Sequence, residues 1–304
     1  MKGFKNILAA VDLSACSQRA LTLAIDLAFA EGTQLHVLFV EVLHGEPYDE
    51  TVRQRLQSMV KARMDERGLV GLDVEYAMER DYVAGPAILR YARDHAIDII
   101  VMGTHGRRGL RALVLGSVAS EVVREARCAV LTVRKDGEVD PVKVRRILVP
   151  FDFSDYSRAA LRIAMDVAES SGAKIDLVHV VEDRFHPAFY GPFFQSVYDM
   201  EPDIEQRSER HLREEVVRLD AEDLVTVIEA FGGYPARDIP RYADRHEIDL
   251  IVMSTHGLTG MEHFLIGSVA EKTVSHASCP VLIVKPRGMF ESDTEADVGA
   301  EHAI

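Results

Sequence analysis

At 304 residues, 47% hydrophobic and 28% charged, the chain has the composition of a globular protein with room for two domains. Its formal net charge of −14 argues against nucleic acid or an anionic membrane surface as a general partner, since the field of the molecule repels both. No apolar run reaches the ~18–20 residues that span a bilayer, and Met1-Lys2-Gly3-Phe4-Lys5 leads straight into a strand pattern, so no secretory signal is expected.

Strands are predicted near 5–11, 34–42, 72–78, 98–103 and 130–134, with helical patterns between them. The first helix opens at Ser14, a hydroxyl N-cap, and places Leu21, Ala24, Ile25 and Ala28 on one face. The first strand is apolar nearly throughout, as suits a strand covered on both faces. A polar linker follows over 135–143, containing Asp136-Gly137 and Pro141. The pattern then begins again. Asn6-Ile7-Leu8-Ala9-Ala10-Val11-Asp12-Leu13-Ser14 matches Arg146-Ile147-Leu148-Val149-Pro150-Phe151-Asp152-Phe153-Ser154 at an offset of 140 residues. The second copy of the helix places Leu161, Ala164, Met165 and Ala168 on its apolar face. Later segments match at an offset of 151, so the second half is longer, and the extra residues are placed around Arg184 to Phe194. The division predicted is a domain over 1–135, a second over 145–286, and an acidic, aperiodic tail over 287–304 that is expected to be disordered. Each half reads βαβαβαβαβ. The fold class is therefore α/β, with two tandem doubly wound parallel sheets that bind ligands beyond the carboxyl ends of their strands.

One loop occurs twice. Met102-Gly103-Thr104-His105-Gly106, nine residues, then Gly116-Ser117-Val118 recurs as Met253-Ser254-Thr255-His256-Gly257, nine residues, then Gly267-Ser268-Val269. Each copy follows an apolar strand and precedes a helix, and a helix start with unpaired amides is suited to hold an anion. This is not a P-loop, which needs lysine after its last glycine, nor the dinucleotide fingerprint, since no glycine follows the first strand. The gap in the first copy contains Arg107, Arg108 and Arg111, which are able to neutralise phosphate; the second has Leu258, Thr259 and Glu262. Ser254 stands where Gly103 does and is expected to restrict the backbone there. The N-terminal site is therefore predicted to be the tighter one. His105 and His256 lack neighbours at metal-ligand spacing, so no metal site is predicted, and no catalytic residue set is visible. Cys128 and Cys279 occupy the same position in the two copies and read as packing residues in a reducing compartment; Cys16 has no counterpart, because Tyr156 replaces it.

Gly-x2-Gly-x9-Gly-Ser after the fourth strand, an aspartate ending the first, and the closing Cys128-Ala129-Val130-Leu131 and Cys279-Pro280-Val281-Leu282 resemble the universal stress protein family in its tandem form. The resemblance implies an adenine nucleotide alpha hydrolase-like fold with strand order 3-2-1-4-5 in each half, and ATP, with Mg²⁺ possible, as ligand. It implies nucleotide contacts from Val11, Asp12, Val40, Met102, Gly103, Gly106, Arg107, Gly116, Ser117 and Val118. The matching positions are Phe151, Asp152, Val180, Met253, Ser254, Gly257, Gly267, Ser268 and Val269. It also implies a cytoplasmic stress-response protein whose halves pair through Val130–Val133 and Val281–Val284 as an intramolecular pseudo-dimer, with room for two chains to form a homodimer. Two other readings stand beside nucleotide sensing: a slow ATP hydrolase or phosphotransferase, and an interaction scaffold whose glycine loops are structural.

Overall fold

A computed structural model describes residues 4–43, 50–105, 115–134, 144–182, 196–255 and 267–285. The first half runs β1 (Asn6–Val11), α1 (Ala15–Glu31), β2 (Gln34–Val42), α2 (Glu50–Arg67), β3 (Val74–Asp81), α3 (Ala84–Asp94), β4 (Ile99–Gly103), α4 (Ser117–Glu125) and β5 (Ala129–Val133). The second runs β6 (Arg146–Pro150), α5 (Asp155–Ser171), β7 (Lys174–Glu182), α6 (Val197–Met200), α7 (Ile204–Arg218), β8 (Val225–Gly233), α8 (Pro235–Arg245), β9 (Leu250–Ser254), α9 (Ser268–His276) and β10 (Val281–Val284).

Local chemistry explains the repeated start. The Ser14 hydroxyl accepts the Ser17 amide at 3.2 Å, and Ser154 accepts that of Ser157 at 3.1 Å, so α1 and α5 are capped alike. Both helices end on a left-handed glycine, Gly32 at φ 63° and Gly172 at φ 73°. Leu21, Ala24, Ile25 and Ala28 are buried as predicted, as are Leu161, Ala164 and Ala168, while Met165 packs half-buried against the same core.

Ten strands form one sheet in the order β3-β2-β1-β4-β5-β10-β9-β6-β7-β8. Each half is parallel with the predicted order, and the halves join where β5 meets β10 antiparallel. Leu131 faces Leu282 there, and these are the same position in the two copies, so a pseudo-two-fold axis passes through that pair. One apolar layer lies under α1, α2, α5 and α7, the other under α3, α4, α8 and α9. Offsets stay at 140 through β7 and become 151 from β8, so the extra residues fall between Glu182 and Val225. The segment Arg184–Phe194 itself, the linker and the tail lie outside the described residues.

The repeat differs in a buried polar group at the opposite end of the sheet from the loops. In the second half the fully buried Asp176 accepts from Arg146 Nε and Nη2 at 3.1 and 2.9 Å and from the Tyr242 hydroxyl at 3.2 Å. Burial and this carboxylate push the Tyr242 phenol up. In the first half the matching positions are Asn6, His36 and Tyr91, and His36 Nδ1 pairs with the Tyr91 hydroxyl at 2.9 Å.

Two cations cross the junction. Arg134, just after β5, donates from Nη1 to the Ser275 carbonyl at 2.9 Å, and Lys285, just after β10, donates from Nζ to the Arg124 carbonyl at 2.9 Å. Burial pulls the Lys285 ammonium down to about 8 from 10.5. The unfolded chain then binds this proton more tightly than the folded one, so the stability contributed by Lys285 rises between pH 8 and pH 10.5. Urea unfolding across that window is expected to show wild type gaining on a Lys285→Met variant as pH rises; parallel profiles would contradict the assignment.

Candidate functional site

The carboxyl ends of β2, β1 and β4 are neighbours, and so are those of β7, β6 and β9. They bring Val40, Asp12 and Gly103 to one edge, and Val180, Asp152 and Ser254 to the equivalent edge. The start of α4 is tied to this edge by the backbone. The Gly116 amide donates to the Thr104 carbonyl at 2.9 Å, and Gly267 repeats the bond to Thr255 at 2.8 Å. Each pair closes the neck of the nine-residue gap. A Cβ on Gly116 would stand 3.0 Å from that Thr104 oxygen, and one on Gly267 would stand 2.8 Å from the Thr255 oxygen. Their backbone angles, φ −61° and −59°, are open to any residue. Glycine is required here for space, not for an unusual angle.

Each neck also fixes the start of its helix. Ser117 and Ser268 begin α4 and α9 and are exposed, and neither Gly116 nor Gly267 offers a side-chain cap to the first amides. Those amides and the positive helix end face the same edge as the aspartates. Val118 and Val269 lie half-buried beside the core. Thr104 is almost fully buried, and its hydroxyl pairs with His105 Nδ1 at 2.9 Å. His105 Nε2 is buried without a hydrogen-bond partner among the described residues. Gly106, Arg107 and Gly257 lie outside the described residues.

Asp12 and Asp152 each organise a turn. Asp12 Oδ1 accepts the Ser14 amide at 3.0 Å; Asp152 Oδ1 accepts the Ser154 amide at 3.1 Å and its hydroxyl at 2.6 Å. The intervening Leu13 and Phe153 both hold φ 66°, a left-handed conformation that side chains disfavour. The strain is placed identically in both halves, directly where the first strand meets the candidate site. Val11, Phe151, Met102 and Met253 turn their side chains into the core, leaving only backbone groups at the edge. Val40 is half-buried, and Val180 is 8% exposed. The Phe151 carbonyl lies 2.8 Å from His179 Nδ1, and burial pulls that imidazole below its ordinary value.

Gly103 corrects one expectation. It lies in regular β4, paired with Val133, and has no left-handed angle for Ser254 to lose. The constraint is α1: a Cβ at Gly103 would meet Cys16 Sγ at 2.8 Å. Cys16 in turn is buried and donates to the Val133 carbonyl at 3.0 Å. Cys279 is also buried, which pushes its thiol up to about 12, while Cys128 is half-buried. Among the described residues, no group of three or more His, Cys, Asp or Glu is arranged to hold a metal ion, and no helix is long and apolar enough to cross a membrane.

A family model described as the universal stress protein family matches residues 3–134 and again 143–285. The chain belongs to that family. A universal stress protein of Mycobacterium tuberculosis is 27% identical over 267 residues, covering 83% of this chain and 86% of its own. A universal stress protein from Archaeoglobus fulgidus, solved by crystallography, shares the whole two-domain fold, with a TM-score of 0.65 and 22% identity over 92% of this chain and 96% of its own. A universal stress protein solved in complex with cAMP covers 44% of this chain and 99% of its own, at 21% identity and a TM-score of 0.34.

In this universal stress protein, the sequence marks Gly103, Gly116, Gly267 and the two aspartates that the sheet brings to these edges, but not Thr104 and Thr255, whose carbonyls close the necks. The recurrence of Thr-His in both loops was the available signal. The strained Leu13 and Phe153 left none, since neither residue type favours a positive φ.

Proposed function

We propose that this universal stress protein binds ATP, or another adenine nucleotide, at the carboxyl edge of each half and acts in the cytoplasm as a nucleotide sensor without efficient turnover. The observation that carries this reading is the doubled neck. In both halves a glycine whose Cβ would crowd a strand-end carbonyl ties a helix start with no N-cap side chain to the end of the fourth strand, beside a turn-forming aspartate. Helix-start amides without an N-cap side chain suit a phosphate chain, and His105 Nε2, buried and without a partner among the described residues, offers one more polar group at the first neck. Gly103, Gly116, Ser117 and Val118 would lie along the phosphates, with Asp12 and Val40 towards the ribose and base. Asp152, Val180, Ser254, Gly267, Ser268 and Val269 would do the same in the second half. Bound ATP would bring its Mg²⁺, whose charge offsets the triphosphate in a chain of net charge −14. The N-terminal half is the tighter site, through Arg107, Arg108 and Arg111 against Leu258, Thr259 and Glu262.

Isothermal titration of nucleotide-stripped protein with Mg·ATP is expected to give a tight event and a weaker one. Absence of heat would leave the glycine loops as structural parts of an interaction scaffold. ADP release that depends on Asp12 or Asp152 in the same samples would move the reading to a slow hydrolase.

A further inference from the structure

The two crossing cations hold the far ends of the two helices that begin at the loops. α4 starts at Ser117 beside the first neck, and its Arg124 carbonyl is held by Lys285 of the second half. α9 starts at Ser268 beside the second neck, and its Ser275 carbonyl is held by Arg134 of the first half. Arg124 and Ser275 are each the eighth residue of a nine-residue helix, and their carbonyls are among the last four, which have no partner within the helix. Lys285 and Arg134 each stand directly after the last strand of their half. The arrangement is therefore reciprocal about the Leu131–Leu282 axis. Each helix points its positive end at its own loop and its negative end at a cation of the opposite half.

We propose that Lys285 and Arg134 are positioning residues acting in trans, each setting the anion affinity of the site in the other half. This rests on the nucleotide reading above. A cation on the terminal carbonyls of a helix about 14 Å long does two things. It fixes the helix axis, and so the direction of the amides at the far end, and it complements the dipole whose positive end meets the phosphates. Pairing of β5 with β10 already joins the halves, so the joint alone does not need these side chains. Both are in place because the last strands run antiparallel, which carries the residue after each strand to the opposite half's helix.

The test is titration of the full chain with Mg·ATP at pH 7 in a Gly267→Val background, which leaves only the N-terminal site. Heat in that background establishes the site; its absence overturns the nucleotide reading and this inference with it. Given heat, Lys285→Met is expected to weaken binding about three-fold at unchanged stoichiometry, and Lys285→Arg to restore it. Unchanged affinity in Lys285→Met, or equal weakening in Lys285→Arg, overturns the proposal while leaving the site intact. Should Lys285→Met fail to fold, Arg134→Met in a Gly116→Val background decides the matter on the C-terminal site. A loss there supports the crossed arrangement, and unchanged affinity sinks it.

Discussion

Gly116→Val is expected to weaken ATP binding in the N-terminal half by at least about ten-fold, against a fall in stability of only about 1–2 kcal/mol. The added Cβ would stand 3.0 Å from the Thr104 oxygen, and the two γ carbons would crowd the same strand end. The neck has one way to relieve this, which is to lengthen the 2.9 Å bond between the Gly116 amide and Thr104. Lengthening it moves the first turn of α4 away from β4, and with it every amide aimed at the edge. Gly116→Ala keeps the γ carbons out and asks a shift of a few tenths of an ångström, so its loss is expected to be much smaller. In the second half the contact is tighter, 2.8 Å to Thr255, and Gly267→Ala is expected to be the more damaging alanine of the two. Titration of the three variants checks this order. Full affinity in Gly116→Val would show that the neck does not set the site.

Much of this architecture is legible in the residues. The offset of 140 aligns β1 with β6 and the Ser14 cap with Ser154, and the apolar Val130–Val133 and Val281–Val284 meet as the family resemblance implies. The loops were visible because glycine is informative by its type. The reason for each glycine was not visible. Gly103 reads as a flexible loop position, yet it is an ordinary strand residue under the start of α1. Gly116 reads as a helix start, yet it is demanded by one carbonyl twelve residues earlier in sequence. Both constraints are contacts between segments, and periodicity carries no trace of them. The polar groups at the opposite end show the same limit. Asn6 and His36 in one half, Arg146 and Asp176 in the other, look like unrelated surface substitutions until the sheet buries His36 and Asp176 and sets their partners beside them.

That exchanged pair leads to the largest expected effect on stability. Arg146→Met should cost about 3 kcal/mol, because it leaves the Asp176 carboxylate buried with only the Tyr242 hydroxyl and no opposing charge. The figure sits at the low end for a broken buried pair, since the Arg146 side chain is 36% exposed and water reaches it. The repeat itself provides the compensation. In the first half the same space is filled without an arginine–carboxylate pair, by His36 against Tyr91, with Glu75 Oε2 3.5 Å from His36 Nδ1 and Asn6 donating to the Ala96 carbonyl at 3.2 Å. Arg146→Asn combined with Asp176→His rebuilds that set around Tyr242 and His246, which match Tyr91 and His95 and stack in the same way. The graft lacks one neighbour: His36 pairs across the sheet with Glu75, whereas Asp176 pairs with Val227 after a register shift. Burial already pulls His36 below the ordinary histidine value despite Glu75, and the same burial is expected to disfavour the charged form of the grafted imidazole, which reduces its need for a counter-charge. Urea unfolding should therefore find the double variant recovering at least about half of the stability lost in Arg146→Met. If the double variant is no better than the single one, the register shift at Asp176 has made the two halves non-interchangeable there, and the buried pair is fixed by its own strand geometry.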